Sequence, residues 1–200
     1  MPKDWDGNKK STFACLGASS HSGKEREKND FYATDPMAIN KLMAACDFFP
    51  DHVWECACGK GHLSERLKDL GFEVTSSDII DRGYGYVQDF LAADKMPYKG
   101  DCCIITNPPY KYATEFVLHA LELLHEGQYC AMFLKTTFLE GQSRYDKIFK
   151  STPPKCIYQF TKRVLCAING EFGDLKSSAV SYAWFVWQKG YKGDTTVCWI

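Results

Sequence analysis

Two rhythms of apolar residues alternate along the chain. Runs with strand character recur at 52–57, 72–77, 102–106, 128–134, 156–160 and 179–188, several of them too continuously apolar to have a solvent face. Between them lie stretches of helical period. In Pro36–Phe49 the apolar positions are Met37, Ile39, Leu42, Met43 and Cys46; further helices are expected at 62–70, from Tyr112 to His125, and from Gly141 to about Lys150. Asp35 suits an N-cap and Pro36 the first turn that follows it, whereas Gly71 and Gly127 suit helix ends. A short strand near Tyr86–Gln88 and a last one at 195–200 complete the pattern. Strands alternating with helices of these lengths predict an α/β fold. The expected architecture is a Rossmann-like, mostly parallel seven-stranded sheet with an antiparallel C-terminal strand and helices on both faces. Residues 1–30 and 161–178 show no period, and no internal repeat is visible. The chain therefore reads as one domain over 1–200, with a polar arm at 1–30 and, at 139–178, either a small basic insert or a minimal target-recognition region.

Composition narrows the function. The chain is 45% hydrophobic, enough for a core, and its net charge of −1 excludes a globally basic nucleic-acid binder. A local basic patch remains open, because Lys135 to Lys176 holds eight Lys and Arg against four Asp and Glu. No apolar run is long enough to span a membrane and the first residues, MPKDWDGNKK, form no signal peptide, so a cytoplasmic location is expected. Ten cysteines without an export signal read as reduced core residues. Cys56 and Cys58 are one residue apart, with no histidine at zinc-finger spacing downstream, and no metal site is expected.

Open parallel sheets bind ligands beyond the carboxyl ends of their strands, and four consecutive strand ends here carry polar or special residues. The first is the turn from Glu55 through Cys56, Ala57, Cys58, Gly59 and Lys60 to Gly61, whose glycines let backbone approach a ligand where a helix begins. The second is Asp78, a carboxylate suited to a ribose diol, with Ile79 beside it suited to a purine face. The third is Asp89, able to accept from an adenine amine, followed by Phe90. The fourth is Asn107-Pro108-Pro109-Tyr110. Two prolines cannot continue a ladder, and each holds its predecessor extended, so this stretch presents an amide, a carbonyl and a ring in a fixed pose.

With these residues in order, the chain resembles S-adenosylmethionine-dependent amino methyltransferases, in particular the small phage-type DNA adenine-N6 methyltransferases. The stretch NDFYATDP (29–36) resembles the N-terminal cofactor motif of that class, 55–61 its glycine motif and NPPY its catalytic tetrapeptide. FLEGQSRY (138–145), STPPKCIYQFTKR (151–163) and SSAVSYAWFVWQKG (177–190) also resemble stretches of the phage enzymes. The glycine motif departs from the usual three small residues, since Lys60 and His62 flank Gly61. The resemblance implies S-adenosyl-L-methionine as cofactor, DNA as partner, no metal, no membrane, and a monomer or weak dimer in a bacterial or phage-infected cell. It implies that Phe31, Tyr32, Thr34 and Pro36 close over the methionine end, with Glu55 on the methionine amine. Asp78 would take the ribose, Ile79 and Phe90 the adenine surroundings, and Asp89 the adenine amine; Ala57, Gly59, Gly61 and Asn107 would line the same site.

The tetrapeptide has a chemical logic. An aromatic amine is a poor nucleophile because its lone pair is delocalised, and two acceptors on its hydrogens, the Asn107 side-chain oxygen and the Pro108 carbonyl, stabilise the charge that develops on it. Tyr110 would stack on a base flipped out of the helix. Lys135, Arg144, Lys162 and Arg163 are candidate DNA contacts. Two other readings stand beside this one: a methyltransferase of RNA or of a protein glutamine amide, and a non-catalytic cofactor-binding scaffold. The loop at 161–178 is too short to place many side chains in a groove, and its Lys162, Arg163 and Lys176 suit phosphates, which carry no sequence information. Methylation of a random-sequence duplex library should accordingly mark adenines with little flanking preference. A strict motif of several bases in the mapped products would contradict this.

Overall fold

A computed structural model describes residues 32–164, 166–168 and 180–200; for 32–34 and 166–168 it describes the backbone alone. In chain order the elements are β1 Tyr32–Thr34, α1 Met37–Ala45, β2 His52–Glu55, α2 His62–Asp69, β3 Glu73–Asp78, β4 Tyr86–Val87, β5 Cys102–Thr106, α3 Ala113–Leu123, β6 Tyr129–Lys135, β7 Cys156–Gln159, β8 Cys166–Ile168, β9 Tyr182–Gln188 and β10 Thr196–Trp199. Eight strands form one sheet in the order β10-β7-β9-β6-β5-β2-β3-β4. Every neighbouring pair is parallel except those made by β9, which runs antiparallel to both β6 and β7. The sheet thus has one strand more than the seven expected. The antiparallel strand is β9, and the last strand, β10, returns parallel to β7 as an outer edge.

Alternation along each strand splits the core into two layers. Val53, Cys103, Ile105, Ala131, Phe133, Trp184 and Val186 face α1 and α2, whose contributions are Ala38, Ile39, Leu42, Leu63 and Leu67. Trp54, Ile104, Met132, Phe185 and Trp187 face α3, which supplies Phe116, Val117, Ala120 and Leu121. Covering both faces is what allows the continuous apolar runs seen in the sequence. The buried tryptophans find partners for their N–H groups: Trp54 donates to Ser77 Oγ at 2.9 Å, Trp184 to the Ala38 carbonyl at 3.0 Å, and Trp187 to the Thr152 carbonyl at 3.1 Å.

The helix expected from Gly141 to Lys150 is instead one turn, Gln142–Arg144, that widens over Tyr145–Phe149, where Lys150 N reaches back to the Tyr145 carbonyl at 2.9 Å. Part of the aperiodic stretch after β7 is ordered into β8. It pairs antiparallel with β1 as a separate two-stranded ribbon, Tyr32 opposite Ile168 and Thr34 opposite Cys166. Residues 1–30 and Phe31 lie outside the described residues, as does most of 165–179. The eight cysteines with described side chains are free thiols, and all but Cys198 are buried.

Phe133 is fully buried, stacked on Tyr182 at 5.1 Å and edge-on to Trp184 and Phe160. Phe133→Ala should cost about 3–5 kcal/mol by urea unfolding. A loss under about 1 kcal/mol would mean that the site collapses freely and that this stack is not a rigid support.

Candidate active site

Because β5, β2 and β3 are adjacent and parallel, their carboxyl ends bring three of the predicted motifs side by side. After β2 the chain turns sharply. Cys58 N donates to the Ser77 carbonyl at 2.9 Å, Gly61 N closes onto the Cys58 carbonyl at 2.8 Å, and Glu65 N onto the Gly61 carbonyl opens α2. The backbone at Gly61 favours glycine, and the Tyr84 ring packs directly over it. Its φ is +83°, and a Cβ there would lie 2.5 Å from the Tyr84 ring. Gly59 N donates to Asp78 Oδ2 at 2.9 Å, while Ile80 N donates to Asp78 Oδ1 at 2.9 Å. One carboxylate therefore fixes the glycine turn to the loop after β3. Each of its oxygens keeps a second lone pair for a ligand hydroxyl. Next to it Ile79 stands 62% exposed, an apolar side chain open at the strand end.

Glu55 points inward. It is 2% exposed, accepts a hydrogen bond from Ser64 Oγ, and Ser64 Oγ in turn lies 2.7 Å from Ser76 Oγ. Burial pushes its carboxyl up to about 8; the Ser64 bonds oppose the rise and nearby Asp78 adds to it. Ala57 is partly buried against the core. Asp89 is exposed and its Oδ1 accepts from Leu91 N at 3.0 Å, capping the turn Phe90–Ala92. The ring of Phe90 is committed to the core, 5.2 Å from Trp54, 4.8 Å from Phe116 and 5.1 Å from His119. It supports this strand end from beneath. Pro36 begins α1, with Asp35 Oδ1 accepting from Met37 N at 2.9 Å. Phe31 lies outside the described residues and Tyr32 and Thr34 are known only as backbone of β1.

At the end of β5, Pro108 is buried and Pro109 holds an extended ψ of 119° before a tight turn, Tyr110–Tyr112, closed by Tyr112 N on the Pro109 carbonyl at 2.9 Å. Asn107 Oδ1 is buried and accepts no hydrogen bond, although Asn107 is engaged elsewhere. The Tyr110 ring is half-buried. Tyr182 lies 5.8 Å away and Lys135 Nζ sits 4.8 Å from its centroid. Tyr182 itself rests on Phe133, so the ring of the tetrapeptide is backed by a column of aromatics rooted in the core.

The expected nucleic-acid contacts divide. Lys135, at the end of β6, borders the site. Lys162 and Arg163 are exposed beyond the end of β7. Arg144 is turned inward instead: Nε donates to the Phe138 carbonyl at 2.8 Å, Nη2 to the carbonyls of Thr137 and Glu140, and the guanidinium covers the Phe138 ring. It pins the turn after β6. Among the described residues no cluster of three His, Cys, Asp or Glu side chains could hold a metal, and no helix is long and apolar enough to cross a membrane. Tyr84 was missed from the sequence. Its hydroxyl donates to Glu65 at 2.5 Å and accepts from Lys68 at 2.9 Å while its ring covers Gly61. The signal was there in DRGYGY, where Gly85 passes so close to the Ser76 carbonyl that a Cβ would lie 2.6 Å from it.

No protein-family model and no curated protein matches the chain. Solved structures do. A Listeria monocytogenes protein assigned to the class I S-adenosylmethionine-dependent methyltransferases aligns over 82% of this chain at 12% identity and a TM-score of 0.53; the chain spans 64% of that protein's length. A modification subunit assigned to a type I restriction enzyme of Vibrio vulnificus aligns over 93% of this chain and 50% of its own, at 13% identity and a TM-score of 0.55. A Pyrococcus horikoshii protein assigned as an RNA methyltransferase aligns over 92% of this chain and 98% of its own, at 16% identity and a TM-score of 0.53. The fold is the class I methyltransferase fold.

Glu55 sets a pH dependence. Folded, its carboxyl keeps the proton until about pH 8; unfolded, it loses it near 4.5. Folding takes up a proton between these values, so stability should fall as pH rises through that window. Thermal melts across it should show the slope in the wild type and a flattened slope in Glu55→Gln. An unchanged slope in the variant would assign the dependence to other groups.

Proposed function

We propose that the protein transfers a methyl group from S-adenosyl-L-methionine to the exocyclic N6 amine of adenine in DNA, with the base flipped into the Asn107–Tyr110 turn and little sequence preference around it. The observation that carries this reading is the adjacency of β5 and β2, which sets the Asn-Pro-Pro-Tyr turn beside the glycine turn and Asp78.

The residues suit the cofactor. Gly59 and Gly61 with positive φ, the start of α2, the Asp78 carboxylate and the exposed Ile79 offer close backbone approach, a diol acceptor and an apolar face for adenine. Glu55 is the candidate for the methionine amine, Asp89 for the adenine amine, and the stretch Phe31–Pro36 for the cover. When bound, S-adenosylmethionine supplies a methyl group on a sulfonium, whose departure needs no acid. The chain's own part is to hold and polarise the acceptor amine. Asn107 Oδ1 and the Pro108 carbonyl accept its two hydrogens, Tyr110 stacks on the base, and the amine's proton leaves after transfer without a dedicated base. Lys135, Lys162 and Arg163 would meet phosphates. A restriction-modification subunit among the structures of like fold agrees with DNA as the substrate.

The test is incubation with DNA, RNA or protein extract, then digestion and mass spectrometry for N6-methyladenine nucleoside or methylglutamine. Asn107→Ala should remove most transfer to DNA while cofactor affinity stays within a few-fold. Tyr110→Phe should stay active, and Tyr110→Ala should lose about 1–3 kcal/mol of stacking, roughly fivefold to 150-fold in rate. Methyl groups found on RNA or glutamine and not on DNA adenine would overturn the substrate; near wild-type turnover in Asn107→Ala would overturn the mechanism.

A further inference from the structure

The outer edge of the sheet, β10, lacks the devices that ordinarily keep an edge strand from pairing. Thr196-Val197-Cys198-Trp199 contains no proline, no charge and no bulge. Its inner side is fixed by the parallel ladder with β7. Thr196 N donates to the Lys155 carbonyl at 3.2 Å, Ile200 N to the Gln159 carbonyl at 2.9 Å, and Thr161 N to the Ile200 carbonyl at 2.9 Å. Thr196, Cys198 and Ile200 therefore spend their backbone groups inward, and by alternation Val197 and Trp199 turn theirs outward. Among the described residues no strand lies beyond them. Their side chains are open as well: Trp199 is 70% exposed and Val197 47%, on the sheet face shared with Ile157 and Gln159.

We propose that β10 pairs antiparallel with β10 of a second copy of this chain, about a two-fold axis perpendicular to the sheet at Cys198. The strand is self-complementary in this register. Val197 falls opposite Trp199 of the partner subunit, and Trp199 opposite the partner's Val197. Each outward-facing residue thus meets another outward-facing residue, and the two pairs complete both sets of N–H to C=O bonds. Both pairs also place an aromatic ring beside a β-branched side chain on one face, a favourable cross-strand combination, and no like charges meet across the axis. A second copy satisfies every exposed group of the strand at once, which is the mark of an isologous contact. Four residues a side fall short of the roughly 1,000 Å² of a lasting interface, so the dimer is weak and concentration-dependent. The axis reverses strand direction, so the carboxyl ends of the two parallel sets, and the two candidate sites, face opposite ways. The inference does not depend on the functional reading, because its readout is mass.

Analytical ultracentrifugation over a wide concentration range should show the mass rising toward twice that of the chain. Val197→Lys and Trp199→Lys, both on exposed positions, should each hold it at the monomer value with unchanged circular dichroism. The axis also sets Cys198 opposite itself as a non-hydrogen-bonded pair, Cα atoms about 4.5 Å apart, within disulfide range. Cys156 Sγ lies 3.5 Å from Cys198 Sγ and would compete, so the cross-link is sought in Cys156→Ser. Diamide should then give a covalent dimer that disappears when Cys198→Ser is added. A monomer at every concentration, a dimer that survives both lysine variants, or a dimer that fails to cross-link through Cys198 would each overturn the proposal.

Discussion

The carboxylate of Asp78 holds two loops at once. One oxygen accepts from Gly59 in the turn after β2, the other from Ile80 in the loop after β3. Cys58 N on the Ser77 carbonyl and Cys58 Sγ on the Tyr84 carbonyl add to the link, but this carboxylate alone reaches both Gly59 in the positive-φ turn and the backbone beside Ile79. A carboxylate accepting from two backbone N–H groups makes stronger bonds than a neutral oxygen would, which suits a position where two loops must be held together. A ligand diol arriving there meets a carboxylate already oriented, so little ordering remains to be done on binding.

The same economy appears one strand away. The proline pair fixes how the chain leaves β5, but the ring of Tyr110 is set from behind by Tyr182, which is fixed by Phe133 inside the core. Arg144 does comparable service after β6, spending its guanidinium on carbonyls of the turn. Rigidity at the candidate site thus comes from groups bound to the protein itself. It follows from antiparallel β9, which threads between β6 and β7 and brings Tyr182 opposite Lys135.

Much of this was legible in the sequence because strand ends are written in local chemistry. The apolar runs located β2, β5 and β6 within a residue or two and β9 to its last residue, although β9 begins three residues later than expected, and the glycine turn, Asp78, Asp89 and Asn107 stand where strand termini were expected. What escaped notice was which way side chains turn once the chain has folded. Arg144 read as a surface base, since nothing local reveals that three carbonyls of the preceding turn would claim it. Phe90 read as a neighbour of the ligand, but Trp54 and Phe116 take its ring into the core. The outer strand was read at 195–200, and only its place beside β7 was not legible; the short β8 was not, because three residues are too few to show an alternation.

The ribbon of β1 and β8 bears on how such a chain can diversify. It joins the segment before α1 to the stretch after β7 through a backbone ladder, with Ala33 opposite Ala167. A ladder of that kind constrains chain length and forbids proline, but it is indifferent to most side chains. At these three ladder positions side-chain identity can therefore change generation after generation while the backbone stays moored to the segment before α1. Substituted surfaces can be tried there without re-inventing the scaffold; lengthened or shortened ones cannot.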